Sequence, residues 1–290
     1  MSSGQNKVGP ICVSLLTCAV SAAVWAGTAF GAQAQKGEPA LTPISSTLII
    51  IFLIFISSAL VSGSLLLIRR RFGHRLKGQE HLDSSIFSFF TTLYAFFIGF
   101  AIVTLWSTFL TAKANVNREA DALMVSYYTS RSLPNSQDFR RSLKDYVRTV
   151  LEDEWPQMEK DSMSQEAGQR FDDVLAKLVG LAGDADKIGA IYGSLAEAGR
   201  QRLFRATTVQ SNLYPMVWII LIFGFGAVVF GLSLLNRQLT TVSLIFEFIV
   251  IFVVLICLFF IYDIDTPFSG LITVQPDAFN TVYQKMLKLP

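Results

Sequence analysis

Four stretches of the chain are apolar for longer than the core helix of a soluble domain requires. They cover about residues 46–68, 82–110, 213–235 and 241–262. The second organises the rest. It carries no charge over 86–110, and about 25 residues at ~1.5 Å each cross a ~30 Å hydrocarbon core. Asp83, Ser84 and Ser85 stand where they can cap its first turn. No proline follows until Pro134, so nothing stops the helix at the membrane surface. Beyond Leu110 the apolar positions thin to Val116, Ala120, Leu123 and Tyr127, steps of 4, 3 and 4 that trace one face of a water-exposed helix. The pattern predicts a single helix over about 82–131, ~75 Å long, half in lipid and half outside. Such a helix ties a membrane domain rigidly to an extramembrane one.

The spans divide the chain into 46–110 with the first two membrane helices, an insert over 111–212, the closing pair over 213–262, and a turn and tail over 263–290. The insert reads as helical throughout. Apolar faces run through Phe139, Leu143, Tyr146, Val147, Val150 and Leu151; through Phe171, Val174, Leu175, Leu178 and Val179; and through Ile188, Ile191, Tyr192 and Leu195. Breaks are expected at 132–136, at Trp155-Pro156 and at 180–184. The helix after Asp184 is expected to run straight into the third span. The five-residue link 236–240 makes the third and fourth spans antiparallel neighbours. In the tail, Phe279, Val282, Tyr283, Met286 and Leu287 suggest a short amphipathic helix on the domain or on the lipid surface.

Residues 1–34 read as a signal peptide: Lys7, an apolar stretch over 11–30, then Ala32-Gln33-Ala34. An uncleaved membrane helix is the alternative. Cleavage removes Cys12 and Cys18 and leaves Cys257 without an intramolecular disulfide partner. The loop with Arg69, Arg70, Arg71, Arg75 and Lys77 is a cytoplasmic signal. It places the insert outside, in the periplasm of a multi-pass protein of a bacterial inner membrane. Lys113, Arg118, Arg200, Arg202 and Arg205 flank the insert's membrane ends and pull the other way, but long domains translocate largely regardless of charge.

Composition agrees with a lipid-embedded chain. Of 290 residues, 52% are hydrophobic and only 16% charged, against the usual quarter. The net charge of +2 makes no case for nucleic acid. His74, Glu80, His81 and Asp83 are metal-ligand types, but their spacing fits no closed zinc pattern. No catalytic triad, phosphate loop or dinucleotide fingerprint stands in a suitable setting. Neither enzyme activity, a resident metal nor a cofactor is expected.

After the fourth span comes Asp263-Ile264-Asp265-Thr266-Pro267-Phe268-Ser269-Gly270. An aliphatic helix ending in D-x-D-x-P-F-S-G, followed by a short strand-like stretch, resembles the bestrophin-like family of bacterial membrane proteins, catalogued as a domain of unknown function. The first span ending in arginines, His81 and Asp83 before an uncharged second span, and Arg118-Glu119-Ala120 fit the same order. The resemblance covers about 46–289, and its specific part is the motif Asp263, Asp265, Pro267, Phe268, Ser269 and Gly270. It implies four spans around a helical insert. Bestrophins are pentameric ion channels whose second helices line a phenylalanine-rich neck, and Phe89, Phe90, Phe96, Phe97 and Phe100 lie in the matching helix here. That helix lacks the isoleucine–proline pair of bestrophins, and bestrophins carry their insert in the cytoplasm.

Several residues have two readings. Phe90, Tyr94 and Phe97 share a face and suit a hydrophobic constriction in a ring of copies; lipid-facing packing is the plain reading. Glu247, inside the fourth span, costs about 2.5–3.5 kcal/mol to insert, so it should face protein or water. It is an ion or proton site, or else a partner for Arg237 or a neutral, protonated acid. Asp263 and Asp265 either attract cations at a vestibule or bind backbone N–H groups of the turn. Glu119 and Arg118 are expected to pair across helices with Arg202 or Arg205. The fold class expected is thus an all-α membrane protein with four transmembrane helices and a long helical insert. The leading function is a homo-oligomeric, bestrophin-like channel for inorganic ions, lined by the second helix. The alternative is a non-conducting sensor or scaffold whose insert binds a partner.

Overall fold

The computed structural model describes residues 43–72, 84–210, 213–235 and 240–289. Every regular element among them is a helix: α1 (Pro43–Phe72), α2 (Ser84–Ser130), α3 (Gln137–Thr149), a π turn (Val150–Glu154), α4 (Trp155–Met158), α5 (Gln165–Val179), α6 (Ala185–Gln210), α7 (Pro215–Leu235), α8 (Thr241–Ile264) and α9 (Asp277–Lys288). Four of them, α1, α2, α7 and α8, are long and apolar enough to cross a membrane. The protein is an all-α membrane protein, as the hydropathy pattern indicates.

The chain forms two compact units. One comprises the residues up to Val103 together with Leu213–Tyr262; the other comprises Thr104–Asn212 and Asp263–Pro290. The expected long helix is present as α2, 47 residues in one piece. The signal segment, Arg75, Lys77, the metal-ligand types His74, Glu80, His81 and Asp83, and Arg237 lie outside the described residues, whereas Arg69, Arg70 and Arg71 belong to the end of α1.

In the first unit, side chains of α1, α2, α7 and α8 interlock. Phe55 of α1 sits edge-on to Phe248 and Phe252 of α8, with ring centroids 5.1 and 6.0 Å apart. Tyr94 of α2 lies where a Cβ on Gly224 would be, and Phe87 where a Cβ on Gly231 would be, so two glycines of α7 admit two rings of α2. Polar groups in these helices turn inward. The hydroxyls of Ser57 and Ser58 donate to the Ile54 carbonyl, both at 2.8 Å, since lipid offers no partner.

The second unit is built on the inner face of α2. Val116, Ala120, Leu123 and Tyr127 are fully buried, as their spacing predicts. Phe139, Leu143, Tyr146, Val147 and Val150, then Phe171, Val174 and Leu178, then Ile191 and Leu195 are buried in the same unit. The apolar faces are narrower than the pattern suggests: Val179 is 87% exposed and Tyr192 64%. At Trp155-Pro156 the helix does not break. Pro156 has no N–H to return to Glu152, and the chain opens into the π turn just before it. Nor does α6 run into α7. Leu213 and Tyr214 are non-helical, and Pro215 opens α7 at the one place in a helix where proline fits. The stretch after Gly270 is bent, irregular chain rather than a strand. The tail helix α9 lies on the domain, with Phe279, Val282 and Met286 buried.

Candidate functional site

Two faces of α2 in the membrane unit differ sharply. Ile86, Phe89, Leu93, Phe96, Phe100 and Val103, in steps of 3, 4, 3, 4 and 3, are all exposed in the single chain; Phe89 is 72% and Phe96 73% exposed. At ~100° per residue they fall within a stripe ~100° wide. Tyr94, Ile98 and Ala101 are buried on the other side. The Tyr94 hydroxyl donates to the Leu221 carbonyl of α7 at 2.7 Å, and its ring occupies the space left by Gly224. Phe90 and Phe97 are half-buried at the edge of the stripe, and Phe90 stacks on Tyr94 at 6.5 Å. Of the three residues expected on one face, Tyr94 is thus the one buried against α7, with Phe90 and Phe97 half-buried beside it.

The second unit contains a buried ionic cluster. Glu119 projects from the inner face of α2 and Arg205 from α6, and both side chains are fully buried. The guanidinium holds the carboxylate with two bonds, Nε to Oε2 at 2.9 Å and Nη2 to Oε1 at 2.8 Å. The Tyr146 hydroxyl of α3 donates to Glu119 Oε1 at 3.0 Å. The π turn brings in Glu154, whose Oε1 is 2.7 Å from Arg205 Nη2. That contact is an ion pair without an aligned hydrogen bond, because Glu154 Oε1 has no hydrogen-bond partner among the described residues. Glu154 Oε2 accepts from Arg202 Nη2 at 2.6 Å, and Arg202 also donates to the Ser164 carbonyl at 3.3 Å. Two carboxylates thus face two guanidiniums, which is how buried charge is tolerated. Burial by itself would lower the Arg205 pKa, but the adjacent Glu119 and Glu154 outweigh it and keep the guanidinium charged. Burial, then the same two carboxylates, hold the Tyr146 phenol well above its ordinary value, and it stays neutral. The rings of Trp155 and Phe279 approach Arg205 at 5.7 and 5.6 Å.

The motif after α8 is a built turn. The Asp263 carboxylate accepts from the backbone N–H groups of Leu271 at 2.8 Å and Ile272 at 2.9 Å. Gly270 has φ 108°, and a Cβ there would press on Asp263 Oδ1 at 2.7 Å, so glycine is required on both counts. Val274 N–H donates to the Pro267 carbonyl at 2.8 Å, and Phe268 is buried beside Trp155, centroids 6.0 Å apart.

Residues 55–279 match the family model described as Bestrophin-like domain. The chain belongs to the bestrophin-like family. Crystal structures of a bacterial bestrophin homologue from Klebsiella pneumoniae share its fold. One point variant superposes with TM-score 0.66 at 14% identity, covering 82% of this chain and 98% of that one. A second variant gives 0.64 at 12% identity, with coverage of 82% and 98%. A structure obtained by Zn-SAD phasing gives 0.64 at 16%, with coverage of 82% and 97%. No curated protein matches the chain.

Within this bestrophin-like fold the sequence candidates part company. Asp263 is committed to its turn, the structural one of its two readings. Asp265 is half-buried in the same turn, and Glu247 is buried inside the membrane unit. Glu119 pairs with Arg205, one of the two arginines expected for it, while Arg118 stays exposed. Tyr146, Glu154, Trp155 and Phe279 complete the cluster unannounced by any motif. Pro156 was the available signal, since a proline inside a helical run marks an irregular turn. No group of three or more metal-ligating side chains occurs among the described residues.

Proposed function

We propose that this bestrophin-like protein is a homo-oligomeric ion channel whose pore is lined by α2. The observation that carries the reading is the exposed stripe Ile86, Phe89, Leu93, Phe96, Phe100 and Val103. In a ring of copies, five by family resemblance, such stripes converge on an axis, where phenylalanine rings close a narrow passage by dewetting. Phe89 and Phe96 form the constriction, with Phe90 and Phe97 at its edge. Tyr94 instead locks α2 to α7, and Glu247 shapes the field from within the membrane unit.

The test is ion flux from proteoliposomes holding purified protein, with Phe96→Ala and Tyr94→Phe alongside. The expected result is flux above empty vesicles, raised several-fold by Phe96→Ala and unchanged by Tyr94→Phe. Oxidation of Phe96→Cys should link chains to one another if the stripes meet at an axis. Flux indifferent to Phe96→Ala removes this lining. Absence of flux under varied salt, pH and calcium favours the second reading, a non-conducting sensor or scaffold. That reading draws on Val179, Tyr192, Leu203 and Phe204, large apolar side chains exposed on the insert.

A further inference from the structure

We propose that Arg118, repeated around a ring of copies, makes the water beyond the phenylalanine constriction favour anions over cations. The inference rests on the reading of α2 as the pore helix, and it names the class of ion that this helix passes.

The first support is the rotation of α2. It is one unbroken helix of 47 residues, so a face followed at ~100° per residue in its membrane half continues into its outer half. The stripe that holds Phe89 and Phe96 runs on through Ser107, Thr111, Ala114, Arg118, Asp121 and Val125, in steps of 4, 3, 4, 3 and 4. All of these are exposed except Ala114, which is half-buried. On the opposite side Ala112, Val116, Glu119 and Leu123 are buried. Whatever Phe96 faces in the assembly, Arg118 faces too.

The second support is charge. No charged residue stands on α2 before Lys113, and Lys113 lies about 120° from the middle of the stripe. Arg118 is therefore the first charge on the stripe, 18 residues after Phe100 and ~27 Å along the axis. It is also unspent. Arg200, Arg202 and Arg205 are each held by a carboxylate, whereas Arg118 is exposed and makes no ion pair among the described residues. Its electrostatic neighbour Glu197 already holds Arg200 with one carboxylate oxygen and Gln201 with the other. Asp121, one turn further out, lies at the margin of the stripe on a shorter side chain. A lone exposed cation is screened within ~10 Å in ~0.1 M salt. Like charges ringed around enclosed water reinforce one another, and such a ring of arginines selects anions.

The test is the permeability ratio of chloride over potassium, read from reversal potentials of the purified protein in planar bilayers under a salt gradient. Arg118 is exposed and unpaired, so its variants keep the fold. The wild type should prefer chloride. Arg118→Gln should lower the ratio at least about threefold, Arg118→Glu should turn the preference to potassium, and Arg118→Lys should preserve the wild-type ratio. Lys113→Gln, off the stripe, should leave it unchanged. A wild type that prefers potassium, or a ratio indifferent to Arg118→Glu, overturns the proposal and leaves the channel standing. So does an equal loss in Lys113→Gln, because position on the stripe would then not matter. A wild type that does not conduct removes the channel reading, and this assignment with it.

Discussion

Tyr146 carries the clearest pH signature in the insert. Its phenol is held well above the ordinary tyrosine value by burial and by Glu119 and Glu154, with Arg205 and Arg202 opposing. In the unfolded chain it loses its proton near pH ~10. The folded state then binds more protons than the unfolded state, so stability is complete below about pH 10 and falls as pH rises further. Tyr146→Phe should flatten that alkaline decline. At neutral pH it should cost about 1.5–3 kcal/mol, the worth of a hydrogen bond to a charged group. Thermal unfolding of both proteins across pH 7 to about 11 checks both effects; an undiminished alkaline loss in the variant would assign it elsewhere. Pairing at this scale was half legible. A carboxylate at 119 and guanidiniums at 202 and 205 are candidates from their positions near helix ends, but which arginine is taken depends on helix rotation. The phenol and the second carboxylate come from segments 27 and 35 residues beyond Glu119, and no local pattern links them to it.

At the scale of elements, glycines show what periodicity leaves out. Gly224, Gly226 and Gly231 all lie in α7 and look alike in sequence. A Cβ at Gly224 overlaps the Tyr94 ring and one at Gly231 overlaps the Phe87 ring, whereas Gly226 faces open space. Gly224→Ala and Gly231→Ala should each destabilise the membrane unit by about 1–3 kcal/mol, the range for overpacking. Gly226→Ala should be neutral or slightly stabilising, since alanine is the better helix former. Melting temperatures in one detergent rank the three, and equal shifts would refute the close approach of α2 and α7. The helices themselves were legible, because apolar length and 3.6-residue spacing are local properties. The π turn and the separation of α6 from α7 were not read, although Pro156 and Pro215 mark both places. In the sequence Pro156 reads as a break where the helix only widens, and Pro215, rightly placed in the first turn of the third span, was not used to stop the helix before it.

For the molecule as a whole, the side of the membrane that holds the insert follows from charge rather than from the fold. The arginines that end α1, with Arg75 and Lys77 after it, favour an outside insert, while bestrophins carry theirs in the cytoplasm. Val179, 87% exposed on the insert, offers a reporter. Val179→Cys is expected to react with a membrane-impermeant maleimide in cells whose inner membrane is intact. Labelling only after that membrane is opened places the insert inside. The sequence by itself determined the four membrane helices, the length of α2, the buried face of the insert and, through Asp263 to Gly270, the family. These are properties of runs and spacings, set by hydrocarbon thickness, helix pitch and the φ that a glycine permits. Only the tertiary structure decided that Tyr94 turns into the bundle while Phe89 and Phe96 face outward. It also decided that Arg205 gathers Glu119, Glu154, Trp155 and Phe279 from across the chain. The reason is the same in both cases. Which way a helix is rotated, and which distant charges meet, depends on packing between elements far apart in sequence, and no local pattern encodes it.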